Sequence, residues 1–202
     1  MTGGPFRLLR AGDRVQQRWA NDGGWTREIE AGPGWRVSLA DIEKSGPFSR
    51  FPGAERVLTV VDGPAVMLVV DGRRREAAPL AALGFDGSAT VEAEVTAPVT
   101  ALNLILTVDS DGEAAGRVPG AGTMEVLRPS GEDPLLVDAA PGGTTLVVAL
   151  SDGVECDLPG DALLLQRFDA VRFGDGSNAI VTGPPGSMAA VIRIDGSHHR
   201  IR

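Results

Sequence analysis

Asp-Gly steps recur along this chain, at 62–63, 71–72, 86–87, 111–112, 152–153, 175–176 and 195–196, with short β-branched runs between them. Asp-Gly accepts the positive φ that a tight hairpin needs. The runs include 36–40, 56–61, 66–70, 90–95, 100–108, 144–150 and 189–194. They alternate, or stay apolar, over strand lengths and show no sustained helical period. Residues 79–83 offer only a short turn of helix. The 27 glycines and 14 prolines are spread rather than clustered, as in a chain of many short strands. The fold class predicted is all-β.

The second half echoes the first. Val57–Gly63 resembles Leu146–Gly153, the Phe85-Asp86-Gly87 step resembles Phe173-Gly174-Asp175-Gly176, and Val99–Ile105 resembles Met188–Ile194. The three echoes keep their order and nearly one spacing, which suggests a duplicated all-β unit. A unit of this size can close as a sandwich or a jelly-roll barrel. The Gly- and Pro-rich stretch 112–122 is the natural seam, so the expected domains are 1–112 and 113–202.

Composition removes several function classes. The net charge of −8 repels a phosphate backbone, so no nucleic-acid partner is expected. The one basic run, Arg73-Arg74-Arg75, reads as the solvated tip of a hairpin. A single cysteine, Cys156, allows no internal disulfide, and its neighbours Glu155 and Asp157 disfavour a thiolate. No apolar run is long enough for a signal peptide or a membrane span, so the expected location is the cytoplasm and no membrane partner is expected. The only histidines, His198 and His199, sit in the terminal tail, so no strand carries an imidazole and no metal or other cofactor is expected. No Ser/His/acid set, nucleophile elbow or phosphate loop occurs.

What remains is a polar set framed by aromatics. Strand alternation puts Thr26 and Glu28 on one face of their segment, and Arg36, Ser38 and Ala40 on one face of the next. If both faces look into one mouth, Thr26, Glu28, Arg36 and Ser38 converge. Asn103 is a lone amide in an apolar run and must find partners, either a loop backbone or a ligand. Glu28 with Arg36 reads as an ion pair or as an anion reader. Arg56 either orients a carboxylate or tacks the loop 48–53 in place. Trp19 and Trp25 cover a core or rim, or stack on a ligand.

These residues form an ordered set of blocks. Trp19-x-Asn21-x-Gly23-Gly24-x-Thr26-x-Glu28-Ile29, then Trp35-Arg36-x-Ser38-x-Ala40-x-Ile42, then Gly46-x-Phe48-Ser49-x-Phe51-Pro52-Gly53-x-x-Arg56, and later Phe85-Asp86-Gly87 and Asn103-Leu104 resemble the signature blocks of the HutD/Ves family. The resemblance is strong over 5–108 and is one of length and β character beyond. It implies a bicupin: two fused jelly-roll barrels of the RmlC-like cupin type, without metal-ligand histidines. It implies a ligand site at Asn21, Thr26, Glu28, Arg36, Ser38, Arg56 and Asn103. It further implies a small acidic metabolite of the urocanate or N-formylglutamate kind, and a role in moderating histidine utilisation. Two positions depart from the pattern: Ala101 stands where the family usually carries an acidic residue, and Asp22 replaces a small residue in the Asn-x-Gly-Gly turn.

The expected function is therefore metal-free, non-catalytic binding of a small carboxylate or formyl metabolite. Two alternatives stand beside it: a cupin-type isomerase or hydrolase using Glu28, and an interaction protein that forms a homodimer through its second barrel.

Overall fold

The structure is a computed structural model that describes residues 6–107, 122–139, 142–174 and 176–195. Its strands fall into two units. In chain order they are β1 (Phe6–Leu9), β2 (Gln16–Arg18), β3 (Gly24–Gly32), β4 (Trp35–Ile42), β5 (Gly46–Pro47), β6 (Ala54–Asp62), β7 (Val66–Val70), β8 (Arg73–Ala77), β9 (Ala82–Asp86), β10 (Val91–Glu94) and β11 (Val99–Thr107). They continue as β12 (Gly122–Leu127), β13 (Leu135–Asp138), β14 (Thr144–Ala149), β15 (Val154–Leu158), β16 (Asp161–Leu165), β17 (Ala170–Gly174), β18 (Asn178–Thr182) and β19 (Ala189–Ile194). One 3-10 turn, Ala11–Asp13, completes the regular structure. Among the described residues no helix is long and apolar enough to cross a membrane.

The unit that holds β2–β11 has a six-stranded sheet in the order β2-β3-β4-β11-β6-β9 and a four-stranded sheet in the order β5-β10-β7-β8. Its core contains Ile42, Leu58, Val60, Leu68, Phe85, Val91 and Ala101, drawn from both sheets. The unit that holds β1 and β12–β19 has sheets β1-β17-β14-β19-β12 and β13-β18-β15-β16. Its core contains Val137, Val147, Cys156, Leu165, Phe173, Val181 and Val191. Each unit is thus two sheets packed over one apolar layer. None of the four sheets closes on itself, so the all-β expectation holds while a closed barrel is not formed by any single sheet.

The strand orders reveal the internal repeat. The run β4-β11-β6-β9 corresponds to β12-β19-β14-β17, and β5-β10-β7-β8 to β13-β18-β15-β16. The three echoing segments fall on β6 and β14, on β9 and β17, and on β11 and β19. What differs is at the edges. In the β2–β11 unit, β2 and β3 extend the sheet beyond β4, whereas in the other unit β1 extends it beyond β17. The first strand, Phe6–Leu9, thereby pairs with Phe173 to Ala170, far along the chain. The expected seam at 112–122, except for Gly122 at the start of β12, and the histidines at 198 and 199 lie outside the described residues.

Local chemistry explains the turns. Asp71 and Gly72 take φ of 47° and 77°, and Val70 pairs with Arg73 across them, a two-residue hairpin of the kind Asp-Gly favours. Residues 79–83 form no helix: Leu80 stands at φ 64°, and Pro79 bridges to Val60. The Arg73–Arg75 run starts at that hairpin tip, exposed as expected, and continues along edge strand β8. There Arg74 pairs with Glu94 at 2.7 Å and Arg75 donates to the Gly84 carbonyl at 2.8 Å.

Candidate functional site

One face of the six-stranded sheet changes character along its length. The register across β3, β4, β11 and β6 aligns Thr26, Ala40, Ala101 and Val60 in one row, then Glu28, Ser38, Asn103 and Leu58 in the next. A third row aligns Arg36, Ile105, Arg56 and Phe85. Side chains at period two along each strand keep these rows on one face. The end near Val60 and Ala101 is apolar and joins the core. The end near Arg36 and Arg56 is polar, and there a cavity of about 470 Å³ opens.

The cavity is walled by β2, β3, β4, β6 and β11, by the loop 19–21 and by the segment 47–51. Its lining includes Asn21, Thr26, Arg36, Ser38, Arg56 and Asn103, with Gln17, Arg18, Trp19, Ala20, Ala40, Pro47, Phe48, Ser49, Phe51 and Ile105. Six of the seven residues singled out from the sequence therefore border one hollow. Glu28 does not. It shares a row with Ser38 but is exposed, because β2 pairs with β3 only as far as Arg27 and leaves the Glu28 edge open. Glu28 and Arg36 make no ion pair, since Arg36 has no carboxylate partner among the described residues. A bulge at Ile29, where the β3–β4 register slips between Glu28 and Glu30, ends the simple alternation on which the Glu28 expectation rests.

Arg56 is the deepest charge. It is 7% exposed, and its Nη2 donates to Asn103 Oδ1 at 3.3 Å while its Nη1 donates to the Ser49 carbonyl at 3.2 Å. Its Nε is buried with no partner. The rings of Phe48, Phe51 and Phe85 surround its Cζ at 5.3, 5.3 and 4.9 Å. Such cation–π contacts are worth roughly 0.5–2 kcal/mol each and partly offset lost hydration. Burial, with the nearby Arg36 charge adding to it, lowers the Arg56 pKa to about 10, so the group stays a cation at neutral pH. Arg56 thus both ties the loop 48–53 and presents a charge to the hollow. Asn103, 4% exposed, donates from Nδ2 to the Ala101 carbonyl at 3.5 Å, the limit of a hydrogen bond.

The rim is braced by aromatics. Trp19 Nε1 donates to Thr26 Oγ1 at 2.8 Å, and the Trp19 and Phe48 rings meet edge to face at 6.0 Å. Asn21 spans two loops: its Oδ1 accepts from the Gly23 N–H at 3.0 Å and its Nδ2 donates to the Pro47 carbonyl at 3.1 Å. Trp25 lies away from the lining, under Arg18 and bonded to Glu43. Gln17 and Arg18, absent from the sequence expectation, come from β2. That strand is three residues long and lacks apolar alternation, so no sequence pattern marks it.

The donor set defines the chemistry. Among the described residues no Asp, Glu, His or Cys lines the cavity, while three arginines do. Arg18 is neutralised by Asp22 and Glu43 at 3.2 and 2.8 Å. Arg36, over Phe51 at 5.4 Å, and Arg56 have no carboxylate. The hollow is rich in donors and poor in acceptors, which suits an anion. A second hollow, of about 380 Å³, holds Asp41, Glu43 and Asp62. Its Asp41 is already taken up by Arg27 at 2.8 Å and by the Thr100 hydroxyl at 2.8 Å. Ala101 is fully buried in the core and touches neither hollow.

Comparison with known proteins gives a consistent picture. The HutD family model matches residues 11–183. An uncharacterised 21.2 kDa protein in the hutC 3' region of Pseudomonas putida is 42% identical over 98 residues, 45% of this chain and 52% of that protein. The chain thus spans about half the length of that curated relative. The solved structure of HutD from Pseudomonas fluorescens SBW25, in a formate condition, superposes with a TM-score of 0.72 at 27% identity, covering 94% of this chain and 98% of that one. A cupin 2 conserved barrel domain protein from Leptotrichia buccalis superposes at 0.63 with 10% identity, over 94% and 96% of the two chains, a likeness of fold alone.

Proposed function

We propose, for a chain that belongs to the HutD family, that the β2–β11 unit is a binding module for a small carboxylate or formyl-bearing metabolite of the urocanate or N-formylglutamate class. In this reading the two sandwich units are the two cupin domains of a bicupin, and ligand occupancy moderates histidine utilisation. The observation that carries the reading is the pair Arg36 and Arg56, both bordering one cavity and both without a carboxylate partner among the described residues. A buried cation is stable when paired, and a ligand carboxylate is the missing partner. Arg56 and Arg36 would hold the anion, Ser38 and Asn103 would add neutral hydrogen bonds, and Trp19, Phe48 and Phe51 would exclude water. The cavity volume falls within the ~300–1,000 Å³ of ordinary small-ligand sites. The hut-region relative and the formate condition of the solved HutD structure motivate the choice of compounds.

A catalytic role for Glu28 has lost its geometric support, because that carboxylate is exposed and does not border the cavity. The test of binding is ligand-induced stabilisation. Urocanate, N-formylglutamate or formate at about 100 times Kd adds about 2.7 kcal/mol, visible as a shift in Tm. An unchanged melting curve with all three at millimolar concentration would defeat the ligand class.

A further inference from the structure

The cavity holds two uncompensated charges, not one. Arg18, Arg27 and Arg74 in the same unit each have a carboxylate at 3.2 Å or less. Arg36 and Arg56 have none among the described residues. Their Cζ atoms lie 5.4 and 5.3 Å from the centroid of one ring, Phe51, so they stand at most twice that distance apart. Arg56 sits deep, bonded to Asn103 and with a buried, unpartnered Nε. Arg36, half-buried on β4, lies over the same ring. A single carboxylate brings one negative charge against these two positive ones.

We propose that the ligand of this cavity is a short dicarboxylate, one carboxylate at Arg56 and the other at Arg36, with its carbon chain against Phe51 and Ile105. The proposal rests on the small-anion reading above and goes further by fixing the number of charges. Two charges of one sign beside one aromatic ring, in a site with no acid among its described lining residues, match a dianion better than a single carboxylate. Arg36 is then the specificity-determining residue, reading the presence of the second carboxylate. Arg56, with Asn103 and Ser38, reads the first.

The test uses the full chain and calorimetric titration at fixed ionic strength. Succinate and glutarate are compared with butyrate and valerate, and the diacid series is extended to malonate and adipate. The expected result is a diacid affinity on the order of tenfold or more above that of the matched monoacid, with one chain length preferred. Arg36→Gln, checked for fold by circular dichroism, should weaken the diacid by more than it weakens the monoacid and so erase the diacid preference. Equal affinity for mono- and diacids, a flat length series, or equal weakening of both by Arg36→Gln would overturn the dicarboxylate while leaving a small-anion site standing. Should Arg36→Gln fail to fold, the length series alone decides. Binding of none of these acids, nor of urocanate, N-formylglutamate or formate, would bring down both readings.

Discussion

Arg56 donates to Asn103 at 3.3 Å across β6 and β11, and this neutral amide oxygen is the only side-chain acceptor that the described residues offer to a guanidinium 93% withdrawn from solvent. The pairing satisfies one N–H and leaves the charge unmatched. Asn103→Asp would supply the missing charge from within the chain. Its expected effect is to stabilise the ligand-free protein by about 1.5–3 kcal/mol, the range of a charged hydrogen bond, and to abolish anion binding by occupying Arg56. Denaturant unfolding and titration of the same variant measure both. A variant less stable than the parent, or one that still binds anions, would contradict this account of the site.

The N-terminal segment is fastened to its unit by a buried carboxylate. Asp169 is 2% exposed and accepts from the Ala11 N–H at 2.7 Å, from Arg10 at 2.6 Å and from the Gln166 N–H at 3.1 Å. Burial alone would raise its pKa, but the Ala11 N–H, the Arg10 side chain and the Gln166 N–H outweigh it and hold the pKa below the ordinary carboxylate value. The sign follows from linkage. A depressed folded-state pKa gives stability that is present above about pH 4 and is lost as the pH falls through the folded value. Asp169→Asn should therefore flatten the acid limb of the stability–pH curve. It should also cost roughly 1–3 kcal/mol at pH 7, as donors lose a charged acceptor.

Gly24 has no room for a side chain. A Cβ there would stand 2.1 Å from the Asp41 carbonyl oxygen and 3.3 Å from Trp19 Cε3. Gly24→Ala must move backbone, at an expected cost of about 1–3 kcal/mol. The displacement reaches Trp19, whose indole braces Thr26 at the cavity wall. Thermal melts should record the loss, and anion affinity should fall with it, even though residue 24 does not line the cavity.

Cys156 is fully buried on β15, and burial, followed by the Asp157 charge, pushes its thiol up to about 12. A disulfide reagent at pH 8 should find it inert in the native protein and reactive in denaturant. The labelling rate then reports the opening of that core. Rapid labelling under native conditions would show that β15 is not packed as described.

The Asp-Gly punctuation and the β-branched runs were enough to establish the all-β class and the internal repeat, because turn chemistry and strand period are local properties of the chain. The arginine-bearing character of the hollow was legible for the same reason: residue type is written in the sequence. Which polar side chains share a hollow was not. Thr26, Ser38, Asn103 and Arg56 meet because β3, β4, β11 and β6 pair in a register set by long-range contacts, whereas Glu28, equally polar and on the expected face, is left on an uncovered edge. The destination of Phe6–Leu9 was hidden too, since a strand's partner is chosen by an open sheet edge and not by its own composition. Alternation tells a side chain which face to take; only the assembled sheet decides what that face looks upon.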